Sequence, residues 1–301
     1  MKKFNFVVVF SFLAASLFAQ NVSDFDVQGN DDGTMVIMNY KGAAKAIVIP
    51  ETIFNMPVTR LMEGAFRNKE LTSVVIPRTV TFIGNATFRD NQLTSVTIPE
   101  TVAHIGNDAF RSNRLTSVTL PGNLEYLGNA AFASNQLTSV TIPGKVRIID
   151  NNAFSYNRLT SITIPDSVVY VGFSSFQNNN ITNVVIGNGV IHIGADAFRN
   201  NQITSIRLGS SIRYIGDNAF IQHRASTIVI PESVVYIGNY AFMPNTQNSI
   251  TSITIGRLVM FGWDNEGAAF PRNNNFDMAY VNNQMRAGRY TFANGTWGFT
   301  P

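Results

Sequence analysis

Residues 91–112 read NQLTSVTIPETVAHIGNDAFRS, and residues 113–134 follow without a gap as NRLTSVTLPGNLEYLGNAAFAS. The two stretches carry apolar, polar, glycine and phenylalanine residues at matching positions. Within the first, the alternation over residues 93–98 predicts a β-strand whose aliphatic side chains face inward while Ser95 and Thr97 face out. Pro99 lacks a backbone donor and predicts the end of that strand. Each stretch is therefore one structural unit that repeats along the chain.

Phenylalanine marks the same unit through most of the chain. It recurs at intervals of 22 residues, at Phe66, Phe88, Phe110, Phe132, Phe154, Phe176, Phe198, Phe220 and Phe242. A unit of this length cannot bury its apolar side alone, so neighbouring copies must stack. The spacing predicts an elongated solenoid in which every phenylalanine of the row is buried.

The last part of each unit predicts a tight closure. Gly106 permits a bend, and residues 107–110 predict one helical or 3₁₀ turn that Asn107 caps. An asparagine lies three residues after most of the phenylalanines, and we expect its amide to bond backbone groups that the bend leaves unpaired. These asparagines are Asn91, Asn113, Asn135, Asn157, Asn179, Asn201 and Asn245, and the position is occupied by Lys69 and His223 in two units.

The first 20 residues predict a removable export signal. Lys2 and Lys3 precede an apolar stretch over residues 4–13, and cleavage is expected after Ala19. An uncleaved membrane anchor is the alternative, which the short length of the stretch disfavours. Removal of the two lysines lowers the 22 basic residues to 20 against 19 acidic ones, a net charge of +1. This balance indicates no nucleic-acid-binding surface, and the absence of cysteine excludes disulfides and thiolate metal sites.

Changes in the pattern divide the chain into four segments. Two apolar runs around Gly29–Gly33 predict an N-terminal hairpin, and residues 289–300 predict a second hairpin with a type I′ turn at Asn294-Gly295. Caps are needed because a bare solenoid end exposes both apolar surface and an open strand edge. The predicted segments are a signal peptide (1–19), an N-terminal hairpin cap (20–45), a solenoid of 22-residue units (46–270) and a C-terminal cap with a β-hairpin (271–301).

The repeated unit resembles the BspA-like leucine-rich repeats of bacterial surface proteins, which read approximately N-x-L-T-S-V-T-I-P-x-x-V-x-x-I-G-x-x-A-F. The resemblance covers about residues 32–270, and its departures are local: Met62 and Asp150 replace the bend glycine, and Ala225 replaces the strand leucine. It implies a leucine-rich-repeat solenoid, a right-handed superhelix that is β-dominant with short helical or 3₁₀ turns and is capped at both ends. It also implies a surface that binds macromolecules, because members of the family are implicated in attachment to host matrix proteins, co-aggregation and invasion.

The residue pattern does not point to an enzyme. The three histidines, His104, His192 and His223, lie in separate units without an acid or a nucleophile at a fixed spacing. No phosphate-binding, zinc-protease or calcium-loop motif is present in the sequence. We therefore predict no catalytic residue, no cofactor and no metal site.

Two outward-facing rows are candidate ligand-binding surfaces. The first lies two residues before the bend glycine, and stacking of its rings on one another is the alternative to a binding role. It contains Phe82, His104, Tyr126, Tyr170, His192, Tyr214 and Tyr236, with Ile148 at the equivalent position. The second lies on the Ser/Thr strand face, a ladder that favours strand pairing, where Val185, Arg207 and Val229 break the pattern. A third row, Arg67, Arg89 and Arg111, is a short basic edge for which a solvated face is the simpler interpretation.

Three functions remain open at this level. The leading hypothesis is an exported, non-enzymatic protein at the cell surface that binds host extracellular-matrix proteins or other bacterial surface proteins. The alternatives are a periplasmic or cell-wall module that binds glycans or the envelope, and a passive structural spacer. The sequence predicts no nucleic-acid partner and no membrane span in the mature chain.

Overall fold

A computed structural model describes residues 21–245, 250–262, 269–270, 276–294 and 296–301. The export signal predicted for residues 1–19 lies outside the described residues. The first strands are β1 (Phe25–Gly29), β2 (Met35–Tyr40), β3 (Ala46–Val48), β4 (Thr52–Ile53), β5 (Met56–Leu61) and β6 (Ser73–Val75). The middle turns contain β7 (Phe82–Ile83), β8 (His104–Ile105), β9 (Tyr126–Leu127), β10 (Ile148–Ile149), β11 (Ser161–Ile164), β12 (Tyr170–Val171), β13 (Asn183–Ile186) and β14 (His192–Ile193). The last strands are β15 (Ser205–Arg207), β16 (Tyr214–Ile215), β17 (Thr227–Val229), β18 (Tyr236–Ile237), β19 (Ser252–Ile255), β20 (Met260–Phe261), β21 (Gly288–Ala293) and β22 (Thr296–Thr300).

One continuous sheet, here called the long sheet, joins the turns along one side. Among the described residues it has 13 strands, in the order β1-β2-β5-β7-β8-β9-β10-β12-β14-β16-β18-β20, with β4 beside β5. From β7 to β18 its strands are parallel and in register at the 22-residue step, as in the pairs Tyr170↔His192 and Val171↔Ile193. The stacked, β-dominant solenoid predicted from the repeat is confirmed by this arrangement.

The Ser/Thr strand segments form a second strand row that is less regular than the long sheet. It consists of the separate pairings β3-β6, β11-β13-β15 and β17-β19. Between them, residues 93–98 form only the isolated bridge Thr97↔Thr119, although Val96 and Ile98 are buried and Ser95 and Thr97 exposed as expected. The Thr138 N–H to Thr116 carbonyl distance is 3.3 Å, against 2.8 Å from Thr204 N–H to the Thr182 carbonyl. The middle turns are therefore slightly too far apart along this row for regular strands.

The phenylalanine row is the centre of the core. All nine of its side chains are fully buried, and consecutive rings stack with centroids 5.1–5.8 Å apart. The ladder continues beyond the regular repeat, onto Tyr40 at one end (5.8 Å from Phe66) and Phe270 at the other (5.3 Å from Phe242). Adjacent turns thus share the offset stacking that aromatic pairs prefer.

The asparagine row is a second buried ladder. The Asn179 side chain accepts a hydrogen bond from the Leu159 N–H at 3.0 Å and donates to the carbonyls of Phe154 and Phe176 at 3.0 and 3.2 Å. One amide therefore satisfies backbone groups of its own turn and of the preceding turn. The same pattern recurs at Asn113, Asn135, Asn157 and Asn201.

The closing segment differs from the predicted helical turn. The N–H groups of Asp108 and Phe110 donate to the carbonyls of Asn129 and Ala131 in the next turn, at 2.7 and 2.8 Å. Because these donors are used between turns, they cannot form a helix within the turn. Asp108 instead has a φ of +55°, a left-handed conformation that costs a non-glycine residue about 1–2 kcal/mol. The inter-turn bonds offset that cost and make this side of the stack a third line of pairing.

Both ends of the stack differ from the regular turns. At the N-terminal end, β1 and β2 pair antiparallel, and Phe25 packs on Tyr40. At the C-terminal end, β21 pairs antiparallel with β19, and the helix α1 (Phe276–Asn282) places Phe276 and Tyr280 against the last turn. The β21–β22 hairpin matches the predicted strands, with Asn294 at a φ of +52°, whereas Gly295, on which the type I′ assignment depends, lies outside the described residues.

The β21–β22 hairpin covers the C-terminal end of the second strand row, because β21 pairs antiparallel with β19. Tyr290 of β21 is fully buried, and Trp297 and Phe299 of β22 pack against the core. The apolar surface and strand edge that a further repeat would cover are therefore occupied by the hairpin.

Candidate functional site

The aromatic row lies on the outer face of the long sheet. Each of its residues is the first of a two-residue strand whose second residue is buried, so side-chain alternation directs the row outward. Tyr126 and Tyr214 are 38% and 43% exposed. The other members, Phe82, His104, Tyr170, His192 and Tyr236, are half-buried. The structure thus brings the seven sequence-predicted residues into one line.

The rings of this row also support one another, as the alternative interpretation of the sequence anticipates. Ring centroids are 4.4 Å apart for Phe82–His104, 4.6 Å for His104–Tyr126 and 5.0 Å for Tyr170–His192. The Arg60 guanidinium lies over the Phe82 ring, 3.9 Å from its centroid. The row therefore contains two stacked groups, Phe82–His104–Tyr126 and Tyr170–His192, and Tyr214 lies tilted against His192 at 6.0 Å. Stacking restricts these rings while their outer edges stay accessible, which lowers the entropy cost of binding a partner.

Burial keeps the row largely uncharged near neutral pH. It lowers the pKa of His104, with a smaller contribution from the Arg60 charge, and it lowers the pKa of His192. Burial also raises the pKa of Tyr126, to which the Asp150 carboxylate adds. The row therefore offers ring faces and hydroxyl groups rather than fixed charge, apart from Arg60.

The second candidate set lies in a groove on the second strand row. Val185 and Arg207 are register partners on β13 and β15, and Val229 of β17 is 54% exposed. They line a groove of about 550 Å³ together with Asp166 and Asn188. Asp166 and Asn188 were not among the sequence candidates, although both lie at the polar turn position after the strand. The Asp166 carboxylate accepts a hydrogen bond from the Asn188 N–H at 2.6 Å, and Asn188 Oδ1 accepts one from the Ser210 N–H at 3.1 Å. Each bond joins one turn to the next, so these side chains also hold the turns together.

All three arginines of the basic edge form ion pairs, which two carboxylates supply. Arg89 and Arg111 each place Nη1 3.1 Å from a carboxylate oxygen of Asp108, and Arg67 lies 3.5 Å from Asp90. The structure therefore favours the simpler interpretation of a solvated, paired face over an anion site. Among the residues that the structure describes, no group of three or more His, Cys, Asp or Glu side chains is placed to hold a metal ion.

His223 has a structural role that the sequence did not predict. It is buried at the asparagine position, where Nδ1 accepts the Ala225 N–H at 3.0 Å and Nε2 lies 3.1 Å from the Phe242 carbonyl. In a regular turn, the asparagine of the following turn makes the two equivalent contacts, as Asn179 does with the Leu159 N–H and the Phe176 carbonyl. The imidazole thus replaces an amide in the ladder, with its proton on Nε2, where the Phe242 carbonyl can accept it.

His223 should make stability depend on pH. Burial lowers its pKa from 6.5 to about 4, so the unfolded chain binds the proton more readily. Its contribution is fully present above pH 6.5 and is lost as the pH falls through 6.5 towards 4, by about 3 kcal/mol in total. We expect His223→Asn to remove this component, measured as the difference in urea unfolding between wild type and variant at pH 7.5 and pH 4.5. Parallel loss of stability in both proteins on acidification would contradict this role.

These features define the class of protein: a solenoid of stacked 22-residue turns with a continuous parallel sheet and a ring-bearing outer face. Residues 59–182 and 147–262 match the family described as BspA type leucine rich repeat region, in six copies. The matched segments together cover more than half of the 301 residues. The chain therefore belongs to the BspA-type leucine-rich repeat family.

Solved structures of bacterial repeat proteins are similar to the chain at low identity. A leucine rich cell surface protein from Faecalibacterium prausnitzii A2-165 is 22% identical, covering 75% of this chain and 86% of that chain, with a TM-score of 0.46. The pneumococcal vaccine antigen PcpA is 18% identical, covering 80% and 82%, with a TM-score of 0.47. The leucine rich repeat protein of T. pallidum is 19% identical, covering 67% and 88%, with a TM-score of 0.43. No curated protein matches the sequence.

The helices of the described residues are all too short or too polar to span a membrane.

Proposed function

We propose that this protein is exported to the cell surface, where it acts without catalysis as an adhesin that binds proteins through the aromatic row. Its targets are host extracellular-matrix proteins or surface proteins of other bacteria. Membership of the repeat family supports a protein-binding role. The observation that carries the proposal is the line of partly exposed rings from Phe82 to Tyr236 on the long sheet, of which Phe82–His104–Tyr126 and Tyr170–His192 are stacked.

The geometry suits a large partner better than a small ligand. Neighbouring members of the row lie about 5 Å apart, so an extended protein surface contacts several turns at once. Tyrosine and histidine rings offer contact area with few rotatable bonds to immobilise, and stacking on their neighbours has already restricted them. Binding energy is therefore distributed along the row rather than concentrated at one residue.

This distribution makes the effects of single and combined changes distinguishable. We expect Tyr170→Ala to weaken binding by less than about tenfold, because one ring supplies only part of the contact. Tyr126→Ala, Tyr170→Ala and Tyr214→Ala together should nearly abolish it. The measurement is binding of each protein to a panel of immobilised extracellular-matrix proteins and to purified peptidoglycan, with circular dichroism as the folding control. Salt should have little effect on the part of the binding that the rings supply, because the row itself is close to neutral.

The matched control is a triple alanine variant of the groove residues Val185, Arg207 and Val229. It should bind matrix proteins like wild type. If the folded aromatic-row triple variant binds normally while the groove variant does not, the binding face is the groove on the second strand row. Selective binding to peptidoglycan would favour the glycan- or envelope-binding alternative.

The cell-surface location requires a separate test. Protease treatment of intact cells should degrade the protein, and a periplasmic marker should survive the same treatment. Protection in intact cells with digestion after lysis would exclude a surface adhesin.

A further inference from the structure

The aromatic row is interrupted at one turn. Ile148 of β10 lies between Tyr126 and Tyr170, and it is paired in register with Tyr170 on one side, while Ile149 is paired with Leu127 on the other. It is 49% exposed. Isoleucine reaches only two carbons beyond Cβ, whereas each tyrosine ring extends further from the sheet. The outer parts of the two rings therefore face each other across a gap above Ile148.

The width of the gap corresponds to one missing ring. Strands in a sheet lie about 4.7–4.9 Å apart, so Tyr126 and Tyr170 are separated by about 9.5 Å. The intact ring pairs on either side have centroid distances of 4.6 Å (His104–Tyr126) and 5.0 Å (Tyr170–His192). One further ring between the tyrosines would thus continue the stack at its own spacing on both faces.

Both walls of the gap are held in place from behind. Tyr126 stacks on His104, and its hydroxyl donates to Asn107 Oδ1 at 3.3 Å, on the side away from Ile148. Tyr170 stacks on His192. These contacts oppose closure of the gap by rotation of either ring, so the opening is preformed.

Charged side chains lie beside the gap, on its Tyr126 side. A cavity of about 410 Å³ there is lined by Tyr126 and Ile148, but not by Tyr170, together with Glu125, Lys145 and Arg147. In the described part of the chain, the Arg147 and Glu125 side chains make no hydrogen bond or ion pair, and Lys145 Nζ donates only to Asn123 Oδ1, at 2.8 Å. The Asp150 carboxylate, which acts on the Tyr126 hydroxyl, is a second anion nearby. The Arg147 guanidinium, which forms no ion pair with a described residue, is therefore the group that favours an acidic residue of a partner at this edge.

We propose that the gap above Ile148 receives one aromatic side chain of a protein partner, inserted between Tyr126 and Tyr170, with an adjacent acidic residue bound by Arg147 and Lys145. The inference rests on the proposed function in that the ring belongs to a bound protein. Two ring faces and an aliphatic floor complement a flat apolar group. A neutral sugar would leave the Arg147 charge without an anion, so the acidic peptide is the better match.

The test uses the mature full-length chain and small probes rather than a whole partner. Ligand-observed NMR titration compares acetyl-Asp-Trp-amide with acetyl-Asp-Leu-amide and with N-acetylglucosamine. The tryptophan peptide should bind at least about tenfold more tightly than the leucine peptide, the factor that two ring contacts supply. In protein labelled at isoleucine methyl groups, it should also shift the Ile148 Cδ1 signal upfield through the ring current.

A variant that fills the gap distinguishes insertion of a partner's ring from non-specific hydrophobic binding. Ile148→Phe completes the stack and should reduce binding of the tryptophan peptide at least about tenfold without lowering the melting temperature. The matched control is Ile191→Phe, which adds a ring at an exposed isoleucine that directly precedes β14 and lies outside the gap. This control should bind like wild type. If Ile148→Phe does not fold, Tyr126→Leu takes its place as the test. It removes one wall of the gap and should weaken binding of the tryptophan peptide but not of the leucine peptide.

Several outcomes would overturn the inference. They are equal binding of the leucine and tryptophan peptides, unchanged binding by folded Ile148→Phe, and tighter binding of N-acetylglucosamine, which would assign the gap to a glycan. Its failure is distinct from failure of the adhesin proposal. If Ile148→Phe still adheres to matrix proteins, the adhesin proposal stands without ring insertion at the gap. If the peptide inserts but the protein does not adhere to matrix proteins, ring insertion stands without the adhesin proposal.

Discussion

Replacing Phe154 with alanine is expected to lower the free energy of unfolding by about 3–5 kcal/mol. The Phe154 ring is fully buried and stacks on Phe132 at 5.8 Å and on Phe176 at 5.6 Å. Removing the ring leaves a cavity in the middle of the ladder and deletes the ring contacts that this turn makes with both neighbouring turns. Because turns of a solenoid are stabilised mainly by their neighbours, the loss should reduce the cooperativity of unfolding as well as its midpoint.

The measurement is urea unfolding followed by circular dichroism, with Phe173→Ala as the matched control. Phe173 lies in the adjacent turn, but its side chain is exposed. Its removal should therefore change stability by less than about 0.5 kcal/mol. If Phe154→Ala and Phe173→Ala unfold at the same urea concentration as wild type, the buried ladder does not support the stack.

Asn179→Ala should have the second-largest effect, about 2–5 kcal/mol. Its side chain satisfies the Leu159 N–H and the carbonyls of Phe154 and Phe176 in a buried environment. Alanine leaves the buried Leu159 N–H unsatisfied, at about 1–3 kcal/mol, and removes two further hydrogen bonds worth about 0.5–1.5 kcal/mol each. The carbonyls of Phe154 and Phe176 keep one donor each, from Asn157 and Asn201. The penalty arises from backbone groups of two successive turns, so both turns should be loosened.

The neighbouring residue provides the control for this change. Asn180 is exposed, and Asn180→Ala should leave the urea midpoint close to that of wild type. Amide hydrogen exchange adds a local measurement, since the Leu159 amide should lose protection in Asn179→Ala and keep it in Asn180→Ala. Retained protection at Leu159 together with unchanged stability would show that the asparagine row does not hold the turns.

Much of the proposed binding face could be predicted from the sequence, and the rest could not, for a physical reason. The 22-residue period makes residues such as His104 and Tyr126 neighbours in adjacent turns, and alternation beside the buried Ile105 directs them outward. Whether their rings stack depends on side-chain rotamers and local spacing, which periodicity does not specify. The gap at Ile148 is visible in the sequence as a missing aromatic, but its fixed walls appear only with the Tyr126–Asn107 and Tyr170–His192 contacts.

The repeat pattern by itself determined the solenoid class, the buried phenylalanine row and the buried asparagine row. It could do so because every turn must place the same residue types at the same depth. Only the tertiary structure decided where individual backbone groups bond. Asp108 and Phe110 could have donated within a helical turn, but stacking offered them the carbonyls of Asn129 and Ala131. Likewise, His223 makes the contacts that an asparagine of the following turn makes elsewhere, because its longer side chain reaches the Phe242 carbonyl. Hydrogen-bond partners are chosen by the distance between turns, and that distance is a property of the whole stack.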